Sequence, residues 1–446
     1  MPTAIFTIAR SGLTATRRSL ELTAQNVANA DNPDYSRRIL TQGELVMTGN
    51  IGNNAQDSLG GVKPGVIERA ESSLVQRQAR DTSSALKAAD AEFFAMKEAE
   101  SALETSGVYT GLVDFEAALT RLQNNPTEPA LRLSALEAGR KMAGNFRIAN
   151  GTLANARGLV QAEVSAKTLT VNERAAELAK INADLVGSRE GTAGRAALLD
   201  ARDKALRGLA EEFGISTTIN ANGTADVTLS GTPSVALVTG ATAQPLATTF
   251  AADGTVSFAV GGTPFVPSGG AMAGRANALA QMAGLQTSLD GLAVSAITLS
   301  NTAQSNGVGL DGNPGPAFFA GTGAGSITMV LASADDLATA PAGAPAGSRD
   351  TANLAALITA LGDTSGPITG TDSLLLSLSS RVSALETRKD GLEVVSASAE
   401  AELLRETGVD LDTEAANLVR LQQAFEANSR VIQVAAELFD TILDLR

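Results

Sequence analysis

Apolar residues recur every seven positions at both extremities of the chain, and this limits its possible folds more than any other feature. Phe6, Leu13, Leu20 and Val27 form one row, with Ala9, Thr16, Thr23 and Ala30 three residues behind each. Leu411, Leu418, Phe425, Ile432 and Phe439 form the other, filled in by Ala415, Leu421, Asn428, Ala435 and Ile442. Such a repeat is the seam of a coiled coil. The first seam stops at Asn32-Pro33, because proline cannot continue a helix and biases the residue before it towards extended backbone. Asp412, which follows Gly408, is the expected N-cap of the last helix. A helix of about 30 residues runs about 45 Å, too long to hide on a small domain. The economical arrangement packs the two ends of the chain against each other.

Between the seams, further segments have helical spacing. Val108, Leu112, Phe115, Leu119 and Leu122 alternate steps of four and three until Asn124-Asn125-Pro126. Val164, Val171, Leu178 and Leu185 lie seven apart, as do Leu285, Leu292 and Leu299, and Leu378, Leu385 and Leu392. From about Phe213 to Pro267 the period changes to two, at Val227/Leu229, Val235/Leu237 and Val256/Phe258/Val260, with Asn222-Gly223 and Asp253-Gly254 as hairpin turns. Ile327, Met329 and Leu331 suggest one more short strand, and Ala338 to Gly347 a surface loop.

The expected fold is therefore mainly α: an N/C coiled coil, a helical-bundle body and a small inserted β domain. The expected division is residues 1–55 with 408–446 for the coil, 56–210 with 268–407 for the body, and 211–267 for the insert.

Composition removes most chemistry. The 446 residues include no His and no Cys, so imidazole bases, Ser-His and Cys-His nucleophiles, the usual zinc ligands and disulfides are all missing. A net charge of −14 argues against nucleic acid and anionic membrane surfaces as partners. The near-uncharged stretch from Val227 to Gly274 is broken throughout by Gly, Pro, Thr and Ser, so it does not read as a membrane span. "MPTAIFTIARSGL" lacks the plan of a cleavable signal peptide.

Short motifs add no catalytic or cofactor site. Gly321 to Ser326 lacks the Lys-Ser/Thr ending of a phosphate loop, and Gly309 to Gly315 lacks the ligand alternation of a calcium loop. Asp335-Asp336 and Glu211-Glu212 are expected to be solvated. Asp200, Arg202 and Asp203 are expected to form a local surface ion pair of at most ~1 kcal/mol. No enzyme, metal or cofactor is predicted.

The terminal seams are different, because they lie outside a body that already has heptads of its own. Either they are ordinary amphipathic helices of a monomer core, or they are assembly surfaces that neighbouring copies cover. Between the first seam and the body comes "NVANADNPDYSRR", Asn26 to Arg38. Here Pro33 ends the helix, Asn side chains bond freed backbone, and Tyr35 buries its ring while its hydroxyl seeks a polar partner.

"SGLTATRRSLELTAQNVANADNPDYSRR", Ser11 to Arg38, resembles the N-terminal signature of the bacterial flagellar axial proteins, the rod, hook and hook-associated subunits. Asn26, Asn29, Pro33 and Tyr35 match that family's turn; Asp34 departs from its usual Gly. Gly408 to Arg446 resembles the family's C-terminal helix, with Asn417, Gln422, Gln423, Ala427, Asn428 and Ile432 on characteristic positions and Phe425 where Tyr is common. Three internal segments, Gly60 to Arg80, Asn124 to Phe146 and Leu198 to Ile215, and more weakly Asn301 to Phe319, resemble the hook-associated branch that joins hook to filament.

The resemblance implies a structural adaptor and a homo-oligomeric ring that contacts hook protein on one side and a second junction protein on the other. It implies type III export to the extracellular flagellum without a cleaved signal, and a cytoplasmic chaperone on the C-terminal helix. The interface residues it suggests, with the seams, are Phe6, Leu13, Leu20, Asn26, Val27, Asn29, Pro33, Tyr35, Leu411, Leu418, Leu421, Phe425, Asn428, Ile432, Phe439 and Ile442. The rival readings are a hook or filament subunit and a non-flagellar cytoplasmic coiled-coil scaffold.

Overall fold

The computed structural model describes residues 2–44 and 60–444, with side chains from 5 to 441. Ile442 and the 45–55 part of the expected coil unit thus lie outside the described side chains. The chain begins with helix α1 (Pro2–Ala28), followed by strands β1 (Arg38–Glu44) and β2 (Val62–Arg69), which form an antiparallel pair. Four helices follow: α2 (Ser73–Ser106), α3 (Val108–Asn124), α4 (Pro129–Gly187) and α5 (Ala193–Glu212). The 59 residues of α4 make it about 88 Å long. Pro129 opens it where a missing N–H is harmless, and Gly107, with φ 67°, breaks α2 from α3.

The β insert contains β3 (Ile215–Ile219), β4 (Ala225–Leu229), β5 (Gly231–Thr232), β6 (Val235–Thr239), β7 (Thr242–Ala243), β8 (Leu246–Phe250), β9 (Val256–Val260) and β10 (Thr263–Pro267). They make two antiparallel sheets, ordered β3-β4-β6-β7 and β5-β10-β9-β8. Gly223 and Gly254 take φ of 81° and 88° at the two expected turns. Asn172 and Asn182 of α4 tie the insert down: Asn172 exchanges hydrogen bonds with the backbone of Leu246, and Asn182 with that of Ala225.

Helix α6 (Gly270–Asn306) returns to the bundle. The short strands β11 (Gly307–Val308), β12 (Phe319–Ala320), β13 (Thr328–Met329) and β14 (Ala340–Pro341) then pair as β11-β14 and β12-β13. Helices α7 (Ala352–Gly362), α8 (Pro367–Thr407) and α9 (Leu411–Asp444) complete the chain. Helix accounts for 66% of the residues, so the fold is mainly α, as periodicity predicts.

Most of the body's heptad residues lie in its core, although Leu292, Leu299 and Leu392 are only half-buried. Val164, Val171, Leu178 and Leu185 are fully buried, and Phe115 meets Phe318 and Phe319 edge-on at 5.4 and 5.9 Å.

Four expectations are corrected. The last helix is capped by Asp410, whose carboxylate accepts from the Thr413 N–H at 2.9 Å; Asp412 sits in its first turn. Residues 338–340 are buried and β14 is paired, so Ala338 to Gly347 is not wholly a surface loop. The cause is Arg132, fully buried on α4. Its guanidinium donates to the carbonyls of Pro126, Ala334 and Leu337 and to Thr339 Oγ1, and so gathers that segment. Glu212 is buried, because Lys167 and Arg275 reach it at 2.8 and 3.4 Å from two other helices. Asp200 and Arg202 are also buried and Asp203 is partly so, for the reason given below.

Candidate assembly site

Helices α1 and α9 pack antiparallel. The end of α1 lies by the start of α9, and Gly12 faces Asn428 further along. A Cβ at Gly12 would lie 2.8 Å from Asn428 Oδ1, so the absence of a side chain is what permits that approach. Ser11 binds the hairpin by accepting from the Val62 N–H at 3.0 Å. A Cβ at Gly61 would come within 2.7 Å of the same hydroxyl.

Helix α9 and the hairpin together bury Ala9, Ala15, Thr16, Leu22 and Thr23 on α1, and Ala435 on α9 is buried as well. Small residues face the partner helix, and the larger row residues lie to the sides. Leu13, Leu20, Leu418, Leu421, Phe425, Asn428 and Ile432 are half-buried. Phe6 remains 42% exposed and Phe439 49%, with Val27 and Leu411 exposed as well. Beside them, Ile5, Ile8, Val419, Val431, Val434 and Leu438 also face out. The predicted seam exists, then, but one partner helix covers only part of it. A hollow of about 460 Å³ opens between α1, β1 and α9, walled by Leu22, Ile39, Leu40 and Leu421.

The turn after α1 is built around Asn26, which is buried. Its amide exchanges two hydrogen bonds with the Arg38 backbone: Nδ2 donates to the carbonyl at 2.9 Å, and Oδ1 accepts from the N–H at 3.1 Å. The Tyr35 hydroxyl donates to the same Oδ1 at 2.8 Å. The Arg38 guanidinium lies 4.6 Å from the Tyr35 ring centre. Burial raises the Tyr35 pKa, so the phenol stays a neutral donor. Asn29 is half-exposed, and its side chain donates to the Gln25 carbonyl. Asn32 Oδ1 accepts from the Asp34 N–H just after Pro33. Of the predicted turn residues, Asn26 and Tyr35 meet directly; Asn29 and Pro33 shape the chain locally.

Beyond the turn lies a group of residues that sequence reasoning did not bring together. Arg38 Nη2 meets Asp200 at 2.7 Å, and Arg69 bridges Asp200 and Asp203 at 3.0 and 2.6 Å. Arg202 holds the other oxygen of Asp203 at 2.7 Å. The expected local pair does form, but inside a buried network that joins the hairpin to α5. The physical reason is that every carboxylate oxygen of Asp200 and Asp203 meets a guanidinium, so the opposite charges are paired away from water. Burial acts to raise the Asp203 pKa, but Arg69 and Arg202 outweigh it and hold the carboxyl below its ordinary value. Arg37 adds a second link. Its Nε meets the buried Glu414 at 2.8 Å, and its N–H donates to the Thr407 carbonyl. The sequence signals for this network were the Asp200–Asp203 charges and the Arg37-Arg38 pair after the tyrosine, with nothing along the chain to link the two.

Among the described residues, no cluster of acidic residues is arranged to hold a metal, and no helix is long and apolar enough to cross a membrane.

Residues 402–445 match the model of the flagellar basal body rod FlgEFG protein C-terminal region. Half of the chain, residues 96–319, matches the model of the flagellar hook-associated protein FlgK helical domain. The chain belongs to that family, the structural adaptors of the flagellar hook–filament junction.

Flagellar hook-associated protein 1 of Bacillus subtilis is 24% identical over 98% of this chain and 97% of its own length. The Escherichia coli protein of that name is also 24% identical, over 54% of this chain and 44% of its own. The solved flagellar hook junction protein FlgK of Burkholderia pseudomallei shares the fold, with a TM-score of 0.50 and 23% identity over 55% of this chain and 46% of that one. This chain thus spans nearly all of the Bacillus relative but about half of the other two.

Proposed function

We propose that copies of this chain assemble side by side through the α1–α9 coil, which lines an inner tube while the helical body stands outside it. The supporting observation is the coil's incomplete burial: Phe6, Val434 and Phe439 stay exposed beside a seam that is already paired. Contiguous apolar surface of this kind marks an interaction site. The division proposed is residues 1–55 with 408–446 as the inner coil, 56–210 with 268–407 as the body and 211–267 as the β insert.

In this reading the finished ring sits between hook protein and a second junction protein. The apolar stripe on α9 also gives a physical reason for a cytoplasmic export chaperone before type III secretion to the cell exterior. The residues proposed to carry assembly are the row residues named above, together with Asn26, Asn29, Pro33 and Tyr35, which direct the chain out of the coil.

Phe439→Asp tests the proposal. The purified variant is expected to melt like the parent yet fail to assemble on isolated hooks, as counted by electron microscopy. Assembly at the parental level would overturn the coil's role. Truncation after Gly408 is expected to abolish binding of the export chaperone.

A further inference from the structure

Beside a backbone hydrogen bond from the Ile67 N–H to the Gly191 carbonyl, the ties between coil and body are ionic, directional and concentrated on one face of α5. Asp200, Asp203, Lys204 and Arg207 recur at steps of three and four, which places them together on that helix. Asp200 and Asp203 receive Arg38 and Arg69 from one end of the β1–β2 ladder, where those arginines are partners in register. Lys204 and Arg207 receive Asp34 from the turn, at 2.9 and 2.5 Å. Arg207 also donates to the Pro33 carbonyl at 3.3 Å. A third tie, Arg37 to Glu414 and to the Thr407 carbonyl, locks the α8–α9 corner to the residue just before β1.

Ionic ties are a costly way simply to glue two elements together, because charges lose hydration on burial. Apolar contacts would hold as firmly, but they are non-directional and tolerate sliding. Arginine–carboxylate pairs fix direction as well as distance. Asp34 makes the same point. Its carboxylate stands opposite two cations, one on each of its oxygens.

We infer that Asp34, Asp200 and Asp203 are positioning residues that set the angle between the terminal coil and the body, so that a single chain carries this angle before any neighbour joins it. The inference goes beyond the assembly proposal and does not need it, since the angle is a property of the isolated protein.

The absence of cysteine makes the test direct. Spin labels at Arg18→Cys on α1 and Glu173→Cys on α4, both exposed, report the coil–body distance by double electron–electron resonance. The parent is expected to give one narrow distribution. Asp200→Asn with Asp203→Asn is expected to widen it at least twofold, while a second label pair within the body keeps its width. Asp34→Asn is expected to widen it less, and Asp34→Glu to restore it. Reversing the surface tie, with Asp34→Lys, Lys204→Glu and Arg207→Glu together, is expected to restore the narrow width as well. A merely structural role would not produce that restoration.

If the double variant loses the body distance too, the Asp34 series decides. An unchanged width in Asp34→Asn would then overturn the inference. So would a parent distribution as wide as that of the variants.

Discussion

The terminal coil and the helical body have the same sequence periodicity and reach different ends. In the body, the rows Val164, Val171, Leu178, Leu185 and Phe115, Leu119, Leu122 have no exposed surface. In the coil, Phe6 and Phe439 lie half in the open on helices just as regular. The difference lies in the number of neighbours. Helix α4 is contacted by α2, α3, α5, α6 and the β insert, whereas α1 has α9 and one hairpin. One antiparallel partner and that hairpin cover a stripe of small residues, Ala9, Thr16 and Thr23, and leave the larger residues at its margins. Periodicity tells which face a helix will bury. It does not tell whether the chain itself supplies enough surface to bury it.

The comparison breaks if the two regions respond alike to truncation. Phe115→Ala removes a fully buried ring from the body and is expected to cost about 3–5 kcal/mol in chemical denaturation. Next in size is the joint between the regions. Asp203→Asn leaves the buried Arg69 and Arg202 without their shared carboxylate, and is expected to cost about 3 kcal/mol.

Acid offers a second reading of that residue. The folded-state pKa of Asp203 is depressed, so the unfolded chain takes up its proton first. The stability it contributes is present above the ordinary carboxylate value of about 3.9 and is lost as pH falls below it. Stability curves from pH 6 down to pH 2 are expected to be shallower in Asp203→Asn than in the parent.

Tyr35→Phe keeps the ring under Arg38 and loses only the hydroxyl's bond to Asn26, a loss of about 1 kcal/mol by the same measurement. Phe439→Asp is expected to cost the isolated chain less than about 0.5 kcal/mol while stopping assembly. A large stability loss there would show that the coil, like the body, is sealed within one chain.

The joint explains why so much of the site escaped a linear reading. The purpose of the Asn-Pro-x-Tyr turn was legible: proline stops the helix, asparagine binds freed backbone, and tyrosine has a ring to bury and a hydroxyl to satisfy. Its partners were not. Asp200 is 162 positions from Arg38, and Glu414 is 377 from Arg37. Adjacent charges on an isolated stretch such as Asp200 to Asp203 look solvated until a distant strand covers them. Glu212 escaped for the same reason, since Lys167 and Arg275 approach it from α4 and α6.

By itself the sequence determined the helices that carry apolar rows, the seams, the β insert and its turns, because these rest on local sterics and on periods of seven, four-and-three and two. It did not determine α2, α5, α7 or the β1–β2 hairpin. Tertiary structure decided which seams are closed and which stand open, and it turned scattered arginines and aspartates into a joint. The physical reason is that burial and charge pairing belong to surfaces brought together from far along the chain, where spacing along the sequence has no bearing on distance.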